Sequence, residues 1–98
     1  MFKELDPLLH SELRLAIMSI LVTVESADFT YIKKETGASS GNISVQLDKL
    51  STAKYITIEK GFYGKIPRTT CRISPEGIEA FQKYVDAIKT YIEHSNNK

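Results

Sequence analysis

The chain has 98 residues, 42% of them hydrophobic, and a formal net charge of +1. That length fits one domain with a small core that needs no staples, and the lone cysteine, Cys71, excludes an internal disulfide framework and suits a reducing compartment. Charges interrupt Met1–Pro7 before any apolar run develops, and the apolar region from Leu13 to Val24 contains Arg14, Ser19 and Thr23 and is too short to span a bilayer. The expectation is a soluble, cytoplasmic protein with no signal peptide and no membrane partner.

Asp6-Pro7 has the form of a helix cap followed by proline at the first helical position. The first helix is expected over 8–24, with a break near His10-Ser11 as the alternative. Leu13, Ala16, Ile17, Ile20, Leu21 and Val24 lie on one face and Leu15, Met18 and Val22 on another, with Leu5, Leu8 and Leu9 upstream. One apolar face suffices for the core of so small a domain, so the second, with Leu5, Leu9 and Met18, is expected to meet a partner chain.

A short amphipathic helix is expected over 29–36, capped by Asp28 or Thr30, with Phe29 and Ile32 buried and Gly37 in the left-handed position that ends it. Ala38-Ser39 turns the chain, and Ser39 caps a third helix over 39–53. Helix, short glycine-containing turn, helix is a helix-turn-helix signature. The third helix can bury only the stripe of Ile43, Leu47 and Leu50, at spacing i, i+4, i+7. Its first turn has no bulky apolar side chain. Ser39, Ser40, Gly41, Asn42 and Ser44 are small, and Val45, Gln46 and Lys49 follow on the open side. A helix anchored by its far half, with a slim polar leading end, suits insertion into a DNA major groove. Asn42 and Gln46 have the paired donor and acceptor that adenine edges require.

Residues 55–73 read as a hairpin. Tyr55-Ile56-Thr57-Ile58-Glu59-Lys60 alternates apolar and polar, residues 61–67 form a glycine-punctuated loop, and Arg68–Ile73 returns. Over residues 54–74, Lys54, Lys60, Lys65, Arg68 and Arg72 face Glu59 alone, a local excess of four positive charges on a chain that is near neutral as a whole. Such a concentration suits a phosphate footprint, with Lys65 and Arg68 at its tip reaching the backbone or a minor groove.

The last helix is expected over 75–93, from the Ser74 cap and Pro75, with Glu76 in the first turn. Ile78, Phe81, Val85, Ile88 and Ile92 recur at alternating steps of three and four, an a/d seam flanked by Tyr84 and Tyr91. Phe81, Val85, Ile88 and Ile92 are therefore assigned to a homodimer interface, and Ser95–Lys98 to a frayed tail. No repeat or linker divides the chain, so 1–98 is read as a single domain, mainly α with a small β-hairpin.

Leu-Arg-Leu-Ala-Ile-Met at 13–18, Ser40-Gly41-Asn42-Ile43-Ser44 with Leu47-Asp48-Lys49-Leu50, and Pro67-Arg68-Thr69 with Ile73-Ser74-Pro75-Glu76-Gly77 together resemble small winged-helix transcriptional regulators of the MarR/ArsR-related kind. The resemblance covers about residues 8–92. It implies a dimeric double-stranded DNA binder, its helix 39–53 in the major groove and its hairpin as wing. Ser40, Asn42, Ser44 and Gln46 fall on positions that such proteins present to DNA, and Arg68 on the wing arginine. Gln46 departs from the histidine often found there.

Catalysis is not expected. His10 and His94 lie far apart in the chain with no triad or carboxylate pair, and no Cys/His cluster or phosphate-binding glycine loop suggests a metal or cofactor. Cys71 reads as a small hydrophobe; a redox role would require Arg72 to lower its pKa. Two further readings stand beside the DNA regulator. One is a winged helix used for protein–protein contact or assembly, and the other is a regulator with a small-molecule effector near Tyr84 and Tyr91 in the dimer interface.

Overall fold

A computed structural model describes residues 1–96; of the expected frayed tail, Asn97 and Lys98 lie outside the described residues. The elements in order are α1 (Glu12–Val24), β1 (Ser26–Asp28), α2 (Phe29–Thr36), α3 (Ser40–Thr52), β2 (Ile56–Tyr63), β3 (Ile66–Ile73) and α4 (Pro75–Asn96). At the other end of the tail segment, helical bonding carries α4 on through Ser95 and Asn96.

The first helix starts later than Asp6-Pro7 suggests. Asp6 does organise a turn: its Oδ1 accepts from the Leu8 amide at 2.9 Å, and its carbonyl accepts from Leu9 and His10. Ser11 then takes an extended backbone and its hydroxyl accepts from the Arg14 amide, so the chain is capped a second time and α1 begins at Glu12. Serine's side chain competes for the amides that would have continued the turn, which places the break at His10-Ser11. Farther along, Asp28 caps α2, Gly37 ends it at φ +70°, and Ser39 caps α3.

Leu9, Ile17, Met18, Leu21, Ile32, Ile43, Leu50, Ile56 and Cys71 are fully enclosed, Leu47 nearly so, and among the described residues no polar or charged side chain is buried with them. This corrects two dimer assignments. Leu9 and Met18 have no surface left for a partner, because the turn before α1 folds Leu9 into the core and Met18 shares the buried face of α1 with Ile17 and Leu21. The second face of α1 is thus largely used within the protomer, with Val22 still exposed.

The sheet has a third strand that periodicity does not announce. β1 pairs antiparallel with β3, giving the order β1-β3-β2. The hairpin itself is tighter than a seven-residue loop would make it. Tyr63 pairs with Ile66, and the connection is the two-residue turn Gly64-Lys65, with Gly64 at φ +64° in the left-handed start that primed hairpin turns use. The whole is a helix-turn-helix with a three-stranded wing, the winged-helix arrangement.

Two contacts tie the ends of this arrangement to the base of the hairpin. The Tyr55 hydroxyl donates to the Asp6 carboxylate at 2.5 Å; that bond, with burial and the charges of Asp6 and Glu76, pushes the Tyr55 pKa up to about 12. At the start of α4, the Ser74 hydroxyl donates to the Lys54 carbonyl and the Ser74 amide to that of Tyr55. Gly77 packs so closely there that a Cβ would stand 2.1 Å from the Tyr55 carbonyl oxygen. In an open helix, Gly→Ala adds about 1 kcal/mol of stability. Here Gly77→Ala is expected to remove about 1–3 kcal/mol through overpacking, read from urea denaturation. A raised midpoint would contradict the close approach.

Candidate nucleic-acid interface

Helix α3 is held by one side only. Ile43, Leu47 and Leu50 point into the core, while Ser39, Ser40, Gly41, Asn42, Ser44, Val45 and Lys49 are exposed and Gln46 is half-buried. The Ser39 hydroxyl accepts from the Asn42 amide at 3.2 Å, so the leading end of the helix is formed without any large side chain. Val45 is 50% exposed, an apolar side chain of the kind that can touch a thymine methyl.

Within that surface the two amide side chains are not independent. Gln46 Nε2 donates to Asn42 Oδ1 at 2.9 Å. Behind them, Arg14 of α1 donates from Nη1 to Gln46 Oε1 and from Nε to the Leu8 carbonyl, each at 2.5 Å. Arg14 carries no assignment from sequence, since its partner lies 32 positions away and no periodicity signals it.

The hairpin presents a different chemistry. Lys65 sits in its turn and is exposed. Arg68 is half-exposed, 3.4 Å from the Asp28 carboxylate, and its guanidinium lies 5.7 Å from the centre of the Tyr63 ring. The wing arginine is therefore already partnered. An exposed pair of this kind is worth only about 0–1 kcal/mol, so a phosphate oxygen can replace Asp28 at little cost. Phe62, Tyr63 and Ile66 around the turn are 75%, 71% and 67% exposed, an apolar tip that alternation and charge did not single out. Their exposure follows from pairing to the very end of the hairpin, beyond the reach of the core. Among the described residues, no hydrogen bond or ion pair joins Lys65 or Arg68 to α3; the two sets of residues are carried on separate elements.

Of the assigned interface residues, Leu5, Phe81, Val85 and Ile88 are half-buried, and Ile92 is exposed together with Ile78. The neighbouring Tyr84 and Ala87 turn inward, and the Tyr84 hydroxyl bonds His10 Nδ1 at 2.9 Å. Tyr91 instead stacks on Phe2 and donates to the Lys3 carbonyl, so both tyrosines are engaged within the protomer. Cys71 is buried, and burial pushes its thiol pKa up to about 11, the reverse of what a redox role requires. Arg72 does not offset this, because adjacent strand residues point to opposite faces, and Arg72 is exposed while Cys71 enters the core.

The family model described as a winged helix DNA-binding domain matches residues 13–92. An uncharacterized protein of Methanocaldococcus jannaschii is 26% identical over 76 residues, which span 78% of this chain and 83% of that one. A transcriptional regulator homologue from Pyrococcus horikoshii superposes with a TM-score of 0.83 at 25% identity, covering 89% of this chain and 86% of that one. The oxidized form of MarR from Escherichia coli superposes with a TM-score of 0.71 at 13% identity, covering 91% of this chain and 62% of that one, a likeness of fold.

Proposed function

The chain belongs to the winged helix DNA-binding domain family, and from that premise we propose that it is a cytoplasmic, sequence-specific transcriptional regulator that binds double-stranded DNA as a homodimer. The observation that carries this reading is the one-sided anchoring of α3. Its buried stripe leaves Ser39, Ser40, Gly41, Asn42, Ser44, Val45 and Lys49 on an unobstructed outward surface. In this reading the leading half of α3 enters the major groove, where Asn42 makes the base-edge contact. Gly41 allows the helix to approach the sugar-phosphate chain, and Lys49, Lys65 and Arg68 contact phosphates, Arg68 exchanging Asp28 for the backbone. The exposed Phe62, Tyr63 and Ile66 fit the wall of a minor groove better than open water.

The dimer is proposed along α4. The row Ile78, Phe81, Val85, Ile88 and Ile92 extends for about 21 Å of helix, and its two ends are the most exposed isoleucines of the chain after Ile66. A second copy laid along this row would cover them and present two recognition helices to two half-sites.

Two experiments bear on this. Asn42→Ala is expected to weaken binding to the duplex upstream of the protein's own gene roughly tenfold, and to a shuffled duplex much less, by fluorescence anisotropy. Equal losses on both would remove Asn42 from base readout. Ile92→Asp places a charge on a residue that the protomer leaves 54% exposed, so it should fold normally yet sediment as a monomer where the unaltered chain sediments as a dimer. Unchanged sedimentation would exclude α4's outer row as the interface.

A further inference from the structure

We propose that Arg14 is a specificity-determining positioning residue. It acts on DNA recognition through Gln46 and Asn42 while it is itself tethered behind the recognition surface to the Leu8 carbonyl. The inference rests on the DNA-binding reading above and identifies how its base-reading group is oriented.

A guanidinium has only donors. The atom of Gln46 that faces Arg14 must therefore be the carbonyl Oε1, which turns the Gln46 amino group toward Asn42, one helical turn earlier. That amino group also only donates, so Asn42 must offer Oδ1 to it and direct its own Nδ2 hydrogens elsewhere. One donor-only side chain thus decides the orientation of two amides in succession. Without it, the Asn42–Gln46 pair bonds equally well with both amides reversed, and the outward group of Asn42 alternates between donor and acceptor.

Arg14 is suited to this by its own tether. Leu8 lies in the turn ahead of α1, and its carbonyl holds Nε while Nη1 reaches Gln46, so the planar fork spans the N-terminal turn and α3. A lysine keeps the charge but cannot hold both acceptors in one fixed plane. Gln46, half-buried and bonded on both sides, is accordingly a relay rather than an independent reader. A pre-oriented Asn42 donor matches the acceptors of the major-groove edge, purine N7 above all, with no reorganisation on binding.

The test compares unaltered protein, Arg14→Lys and Gln46→Met in selection from a duplex library with a randomised core, read by sequencing. Side-chain amide NMR of Asn42 is recorded on the free proteins, whose folding is checked by thermal melting. Arg14→Lys leaves the charge unchanged, and Gln46→Met breaks the relay from the α3 side. Both are expected to lose roughly five- to tenfold of discrimination at the same single base pair, and the Asn42 amino group to lose order in both. A full motif retained by Arg14→Lys would overturn the inference. So would a second base pair altered by Gln46→Met alone, since Gln46 would then read a base itself. If the unaltered protein selects no motif, the DNA-binding reading fails and this inference with it. An Asn42 amide equally ordered in Arg14→Lys overturns the relay whatever the DNA result.

Discussion

Ile43, Leu47 and Leu50 attach α3 to the core along one stripe, and most of what the chain offers its surroundings depends on that attachment. Three buried aliphatic side chains contribute on the order of 1.5–3 kcal/mol each relative to exposure, enough to hold a helix whose other side makes few apolar contacts. The same economy leaves the leading turn slim. Ser39 supplies the hydrogen bond that a bulkier neighbour would otherwise stabilise by packing, and Gly41 and Ser44 keep the approach open. A wider apolar face would hold α3 more firmly but would fill the surface that is now open.

The rest of the fold serves to place that helix. α1 lies behind it and contributes both apolar contacts and the Arg14 bond to Gln46. The hairpin leaves α3 through Lys54, at φ +66°, and Tyr55, and this junction is fastened from two directions. Asp6 holds the Tyr55 hydroxyl from the N-terminal side, and Ser74 holds the Lys54 and Tyr55 carbonyls from the α4 side. Gly77 permits the second approach. Helix α3, the hairpin and α4 therefore meet at a few hydrogen bonds around one strand end. A shift of α4 has a short mechanical route to the base of the wing.

The features legible in the sequence were those set by local chemistry. The stripe on α3, the Ser39 and Asp28 caps, the left-handed Gly37 and the proline start of α4 are decided within a few residues of themselves. What escaped reading was decided by distant partners. β1 has three residues and exists because β3 pairs with it, and the Arg14 and Tyr55 bonds span 32 and 49 positions. Leu9 and Met18 show the same limit from the other side. Apolar periodicity marks a residue as needing cover, but it does not say whether the protomer or a second copy supplies it. In α4 the pattern held a further ambiguity, for Tyr84 and Ala87, beside the supposed seam, are buried, and the half-buried Phe81 and Ile88 of the seam itself also pack against the core.

The most direct measurement is a titration of isotope-labelled protein with the duplex upstream of its own gene at physiological salt, followed by amide NMR. Shifts are expected to concentrate on residues 39–49 of α3 and 61–68 of the wing, with the outer row of α4 unperturbed by DNA. Shifts confined to α4, or none that persist at that salt, would contradict DNA binding through α3 and the wing.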